Sequence, residues 1–231
     1  MKTLVIIPAR WDSTRLPGKP LAMIGNKPMI QHTWERTTKS NADDVVIATD
    51  SKLIYDTAIE FGARVIWTPE FNTGTERVIA IQKIKNADFV INVQGDEPFI
   101  DPFDINQVIK IVKANPNSVA TMKTYLTQSE SIDPNTVKIV TDPFDSALMF
   151  TRSNVYKPSD IIFKHIGIYG YSAKTLDTIS KMKPSANSEV NSLEQLTWLD
   201  NGISVISGYT ENVSFGIDTP FDLELANKYY R

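Results

Sequence analysis

Two rhythms of apolar positions run along this chain: short unbroken apolar runs, and longer stretches with an apolar residue every three or four positions. Residues 4–9 form an apolar run with Pro8 near its end, the pattern of a strand buried on both faces. A polar loop with Gly18 and two prolines follows over 10–20. Pro28 stands where a first helical turn begins, and Ile30, Thr33, Trp34 and Thr37 follow at helical spacing. Residues 45–48 predict a second strand that ends at Asp50. Ser51 is placed to cap a helix with the stripe Leu53, Ile54, Ala58 and Phe61, stopped by Gly62. Residues 65–67 predict a third strand. Thr73 and Glu76 have capping-box spacing ahead of a helix carrying Val78, Ile79, Ile81 and Ile84. Residues 89–93 predict a fourth strand, running into Gln94-Gly95-Asp96-Glu97-Pro98, and Asp101-Pro102 opens another helix.

Strands alternating with helices over short joints imply an α/β fold with a mostly parallel sheet. Such sheets bind ligands at the carboxyl ends of their strands, which puts 10–19, Asp50 and 94–98 on one rim. The second half has another texture. Residues 137–140 and 147–151 flank the turn Asp142-Pro143-Phe144-Asp145 and predict a hairpin. Residues 163–171 predict a strand, with Ser172 as cap of the helix after it, and 189–199 predict one helix stopped by Asn201-Gly202. Thr219-Pro220 opens the last helix, with Asp222 in its first turn. The pattern reads as a single Rossmann-like domain over 1–231, with a strand-rich lobe inserted at about 127–210.

Composition narrows the chemistry. With 231 residues, 42% of them hydrophobic, the chain can build a packed core. Its 24 basic and 27 acidic residues give a net charge of −3, which argues against a broad nucleic-acid face and leaves room for a local basic pocket. The absence of cysteine removes disulfides, thiolate nucleophiles, iron–sulfur clusters and cysteine zinc sites. Two histidines, His32 and His165, are too few for a histidine-rich metal site. No apolar run approaches the ~20 residues of a membrane span. The N-terminal apolar run is interrupted by Pro8 and Arg10 too early for a signal peptide, so a cytoplasmic protein is expected.

Three groups of residues are candidates for function. The loop 8–20 carries Arg10, Arg15 and Lys19 within ten residues, beside Gly18. Backbone amides freed by a glycine, with several cations, suit a polyphosphate. The loop matches neither G-x-x-x-x-G-K-[ST] nor G-x-G-x-x-G, so a P-loop or dinucleotide site is not expected. Asp96 with Glu97, and Asp218 far along the chain, are candidate Mg²⁺ carboxylates, since Mg²⁺ is held by one or two carboxylates plus substrate phosphates. The plain alternative for Asp218 is a turn carboxylate ahead of a helix cap, and spacing alone does not bring it to Asp96. In the third group, alternation puts His165, Gly167, Tyr169 and Tyr171 on one strand face, suited to a small-molecule pocket or to a hydrogen-bonded structural histidine. His32, Trp34, Phe61, Phe89 and Trp198 read as structural or core residues.

A series of motifs, in order over nearly the whole chain, resembles the 3-deoxy-manno-octulosonate (Kdo) cytidylyltransferases. It comprises Ile6-Ile7-Pro8-Ala9-Arg10, Ser13-Thr14-Arg15-Leu16-Pro17-Gly18-Lys19-Pro20-Leu21, Lys27-Pro28-Met29-Ile30, Ala48-Thr49-Asp50 and Gly74-Thr75-Glu76-Arg77. It continues through Asn92-Val93-Gln94-Gly95-Asp96-Glu97-Pro98, Pro134-Asn135, Val137-Lys138, His165-Ile166-Gly167-Ile168-Tyr169-Gly170-Tyr171, Leu193-Glu194-Gln195-Leu196 and Asp218-Thr219-Pro220. The resemblance implies a nucleotidyltransferase fold and transfer of CMP from CTP to the anomeric hydroxyl of Kdo, for lipopolysaccharide synthesis, with Mg²⁺, by a homodimer. It implies that Arg10, Arg15 and Lys19 meet the CTP phosphates and that Thr75, Glu76 and Arg77 lie by the cytidine. Asp96 and Asp218 would be the metal ligands, with Lys19 beside them in catalysis. Gln94, Arg152, His165, Tyr169 and Glu194 would line the sugar-acid pocket. Departures from the family pattern fall in the sugar lobe: Val155-Tyr156-Lys157 in place of a Pro-Trp pair, and Lys164 and Thr197 where arginine is usual. They leave 8-amino-Kdo or another 3-deoxy-ulosonic acid as alternative substrates, beside a silent CTP-binding module of the same fold.

Overall fold

The apolar run 4–7, wholly removed from solvent, lies inside a parallel sheet in the computed structural model of the chain. The structure describes all residues except 14, 72, 155–161, 213 and 231. The described chain divides into two compact units, 1–106 with 213–231, and 107–212. The second contains the whole of the 127–210 segment and begins within a helix ahead of it.

In the first unit β1 (Thr3–Ala9) pairs on one side with β6 (Phe89–Val93) and on the other with β4 (Asp44–Thr49), which pairs with β5 (Val65–Trp67); all three pairings are parallel. This is the α/β arrangement that the strand–helix alternation predicts. A small antiparallel pair, β2 (Met23–Ile24) and β3 (Lys27–Pro28), precedes α1 (Met29–Thr37), with Pro28 at the N-cap rather than inside the first turn. Ser51 caps α2 (Lys52–Glu60), accepting from the Ile54 N–H. Thr73 and Glu76 close a full capping box on α3 (Gly74–Lys85), and Thr219 and Asp222 do the same on α9 (Pro220–Tyr229). The buried face of α3 differs from the expected stripe. Thr75 and Arg77 are buried with the core residues Val78 and Ile81, while Ile84 is exposed, so the face serves a core and, at Arg77, a polar site. Trp34 and Phe61 are half-buried and meet at a tilt, ring centres 5.3 Å apart. His32 is buried against the carbonyl of Ile24 (2.9 Å) and the edge of Tyr230, a structural position.

The helix α4 (Pro102–Ala114) carries the division between the units. In the second unit β11 (Val205–Tyr209) pairs parallel with β7 (Val119–Thr124), and β7 pairs antiparallel with β10 (Ile162–Ser172). The predicted hairpin is present as β8 (Lys138–Thr141) and β9 (Ala147–Thr151), with β8 against β10. Lys123 on β7 is buried with its ammonium satisfied: Nζ donates to Thr141 Oγ1 (2.8 Å) and Asp145 Oδ1 (2.7 Å) and lies 4.3 Å from the Phe163 ring centre. The short α5 (Gln128–Ile132) has a capping box from Thr127 and Glu130, and Ser172 caps α6 (Ala173–Ile179). The single helix expected over 189–199 is instead two. The chain breaks at Ser192, left-handed at φ 51°, between α7 (Ala186–Asn191) and α8 (Glu194–Asp200). A left-handed residue satisfies the last carbonyls of one helix and starts a new direction, and serine carries no sequence signal for that role as strong as glycine's.

Candidate active site

The site is built where β1 and β6 end. After Ala9 the chain leaves the sheet as the loop 10–18, closed by the Gly18 N–H donating to the Trp11 carbonyl (3.3 Å). Gly18 is left-handed (φ 67°), and a Cβ there would meet the Trp11 indole at 3.0 Å, so both its backbone and its space require glycine. Leu16 packs on a core of Ile24, Met29, Phe99, Ile217 and Ala226. That packing anchors the loop beside its neighbours Arg15 and Lys19. After Val93 the chain turns through Gly95, where a Cβ would lie 3.0 Å from the Pro8 carbonyl oxygen and 3.2 Å from Ile30. Glycine is needed here for close approach to β1, and its conformation is not left-handed.

Asp218 reaches the same rim from the far end of the chain. Ile217 is buried in the core named above, and its N–H donates to the Asp96 carbonyl (2.9 Å). On the other side the N–H of Asp218 donates to Asp222 Oδ2 (3.1 Å), part of the α9 cap. The two carboxylates converge on one cation: Lys19 Nζ donates to Asp96 Oδ2 (2.5 Å) and Asp218 Oδ1 (2.9 Å). Arg15 Nη2 lies 3.0 Å from Asp218 Oδ2. Burial pulls the Lys19 pKa down, but Asp96 and Asp218 together outweigh it and hold it above its ordinary value.

Arg77, 2% exposed, is fixed from three sides: it pairs with Asp50, donates to Thr68 Oγ1 (2.8 Å), and lies 5.9 Å from the Phe71 ring centre. Gln94 Nε2 donates to Asn92 Oδ1 (3.1 Å). These groups line one cavity of about 350 Å³, with Arg10, Arg15, Lys19 and Arg77 as its cations and Asp96 and Asp218 as its anions. The structure thus gathers Arg10, Arg15, Lys19, Arg77, Gln94, Asp96 and Asp218. Thr75 and Glu76 are not among the lining residues. Glu76 is turned to the cap of its own helix, accepting from the Thr73 N–H. The lining residues Phe71 and Thr73 have no sequence signal beyond the cap position of Thr73. Thr14 lies outside the described residues.

The other predicted residues belong to the second unit. His165 is buried, with Nε2 2.9 Å from Thr121 Oγ1 and its ring against Phe150 and Tyr169. Burial, with the Arg152 charge adding to it, pushes its pKa down to about 3, so the ring is neutral at physiological pH. The alternation expected along this strand holds for His165, Tyr169 and Tyr171, whose rings follow one another, and the bulge at Gly167 and Ile168 leaves it intact because it inserts two residues. Arg152 Nη1 donates to the carbonyls of Asn135 (2.9 Å) and Pro134 (3.4 Å). Glu194 is exposed in the first turn of α8; its neighbour Gln195 is buried and donates to the Tyr169 hydroxyl. Of the departures, Lys164 pairs with Glu130 (2.7 Å). Thr197 is buried, donating to Ser188 Oγ (2.8 Å) and accepting from the Ser185 N–H (3.2 Å), so it ties α7 to α8. Val155, Tyr156 and Lys157 lie outside the described residues.

The model of the cytidylyltransferase family matches residues 4–206. A 3-deoxy-manno-octulosonate cytidylyltransferase of Thermodesulfovibrio yellowstonii is 41% identical over 99% of this chain and 98% of its own length. One of Fusobacterium nucleatum is 42% identical over 100% and 98%. The chain belongs to the 3-deoxy-manno-octulosonate cytidylyltransferase family. A solved structure of CMP:2-keto-3-deoxy-manno-octonic acid synthetase complexed with CTP superposes with a TM-score of 0.93, at 35% identity over 99% of this chain and 98% of that one. A glucose-1-phosphate thymidylyltransferase described as putative, from Bacillus anthracis, has a TM-score of 0.71 at 19% identity, a likeness of fold alone. The α/β nucleotidyltransferase fold expected of this cytidylyltransferase is the one found. No helix among the described residues is long and apolar enough to cross a membrane.

Proposed function

We propose that this cytidylyltransferase transfers CMP from CTP to the anomeric 2-hydroxyl of Kdo and releases pyrophosphate. The observation that carries the reading is the cavity at the end of β1 and β6, where Arg10, Arg15 and Lys19 face the carboxylates of Asp96 and Asp218. The CTP bound by the solved relative gives that charge pattern its ligand, a nucleoside triphosphate. The 2-hydroxyl oxygen forms a bond to the α-phosphorus and loses its proton to solvent as the bond to the bridging oxygen breaks. Negative charge collects on the departing pyrophosphate. Arg15 and Lys19, held in place before substrate arrives, balance that charge, and the loop fixes the phosphates for in-line attack.

Mg²⁺ fits the carboxylates. The donors are hard oxygens only, and both already converge on one cation, the Lys19 ammonium. Asp96 and Asp218 would hold the ion, which supplies charge neutralisation at the phosphates. Arg77, fixed by Asp50 and Thr68, shapes the wall of the cavity. Arg152, His165, Tyr169 and Glu194 of the second unit, and Gln94 of the first, are the contacts assigned to the sugar acid. The product serves lipopolysaccharide synthesis, made in the cytoplasm by a homodimer.

The test is pyrophosphate release with Mg²⁺, measured across four nucleoside triphosphates and a panel of Kdo, 8-amino-Kdo and a sialic acid. CTP with Kdo should give the highest kcat/KM. A preference for 8-amino-Kdo overturns the sugar assignment. Binding of CTP without turnover on any sugar acid overturns the enzymatic reading.

A further inference from the structure

Thr121 Oγ1 has three neighbours at hydrogen-bond distance: the carbonyls of Ile168 (2.8 Å) and Ile166 (3.3 Å), and Nε2 of His165 (2.9 Å). The hydroxyl has one proton to give, and a carbonyl oxygen has none. If Thr121 donated to the imidazole, both carbonyls would face bare lone pairs inside the protein, a costly arrangement. The proton therefore goes to Ile168, and Nε2–H of His165 donates to Thr121. A neutral imidazole protonated at Nε2 carries a lone pair on Nδ1. No donor among the described residues meets that nitrogen. The two carbonyls turn towards Thr121 because β10 bulges at Gly167 and Ile168, so the bulge and the threonine form one device.

We propose that Thr121 is a positioning residue that locks His165 as the Nε2–H tautomer and makes Nδ1 a fixed acceptor for a hydroxyl of the sugar acid. An acceptor selects a donor. This subsite takes a hydroxyl, or the ammonium of an amino sugar, and repels a carboxylate, so the acid group of the substrate binds elsewhere. The neutral state that burial gives His165 keeps the acceptor in force at physiological pH. The proposal rests on the Kdo reading for its ligand, and on hydrogen-bond chemistry alone for its tautomer.

Two measurements test it. With only two histidines in the chain, ¹⁵N-histidine labelling separates the ring signals of His165 and His32. The wild-type protein should show His165 protonated at Nε2 and bare at Nδ1. In Thr121→Val, which keeps the shape, the ring should lose this single tautomer, and the KM for Kdo should rise ~10-fold with the KM for CTP within twofold. Thr121→Ser should restore both. An Nδ1–H tautomer in the wild type, an unchanged ring in Thr121→Val, or equal KM shifts for both substrates overturns the proposal. If Thr121→Val does not fold, the wild-type tautomer and the kinetics of Thr121→Ser decide it, the serine variant being required to match the wild type. Failure of the Kdo reading shows separately, as a wild type that transfers CMP to no 3-deoxy sugar acid.

Discussion

Ile217 donates its backbone N–H to the carbonyl oxygen of Asp96 over 2.9 Å, and this bond brings together two carboxylates far apart in the chain. The side chain of Ile217 is buried beneath, so Asp218 is held by the core on one side and by the α9 cap on the other. Neither carboxylate depends on a ligand for its place.

Asp96→Asn keeps this geometry and removes one charge. Turnover is expected to fall at least ~100-fold, while the melting temperature moves little, because the bond from Ile217 goes to the backbone. Asp218→Asn should act alike. Near-normal kcat at saturating Mg²⁺ in either variant takes that residue out of the chemistry.

Arg15→Ala should weaken CTP binding by about 1.5–3 kcal/mol, the range for a hydrogen bond to a charged group. Calorimetry with CTP, CDP and cytidine separates the roles. Losses confined to the two phosphorylated ligands agree with a phosphate contact, and an equal loss for cytidine assigns Arg15 to loop structure.

Acid stability reports on His165. Its folded pKa of about 3 lies below the ordinary value of 6.5, so between those limits the unfolded chain binds the extra proton. Its contribution to stability is therefore lost as pH falls from 6.5 towards 3, with a slope of up to ~1.4 kcal/mol per pH unit. Urea unfolding at pH 7, 6 and 5 should show His165→Gln with a shallower decline than the wild type. Parallel declines would mean that His165 is protonated without penalty in the fold.

Thr197→Val removes the hydroxyl that joins α7 to α8 and leaves the Ser185 N–H without that partner. A loss of about 1–3 kcal/mol in stability is expected, with the KM for CTP unchanged. Thr197→Arg should cost more, since the position is buried. A stable Thr197→Arg protein with an altered ratio between Kdo and its analogues would show that this position reaches the sugar.

The parallel strands of the first unit were legible because each is a run of apolar residues with a turn at its end, as at 4–9 and 89–93. Helix starts were legible wherever a side chain caps them, at Ser51, Thr73, Ser172 and Thr219. The cation loop was legible from charge and glycine together. The strands β7 and β11 were not, since Thr121, Lys123 and Ser207 interrupt their apolar patterns and are satisfied only by tertiary partners. For the same reason the burial of Gln195 beside Tyr169, with Glu194 exposed, needs the helix phase of α8, which the break at Ser192 sets. Convergence of Asp96 and Asp218 depends on a backbone bond that no side-chain pattern encodes.

Trp11 closes the loop by resting its indole on Gly18, half-open to solvent and one residue from Arg10. Any shift of this loop as phosphates engage its cations changes the surroundings of that ring. The chain thus carries an intrinsic fluorophore in the loop that lines its own cavity, and nucleotide arrival can be followed by emission in real time without a label, with Trp11→Phe as the blank for the other three tryptophans.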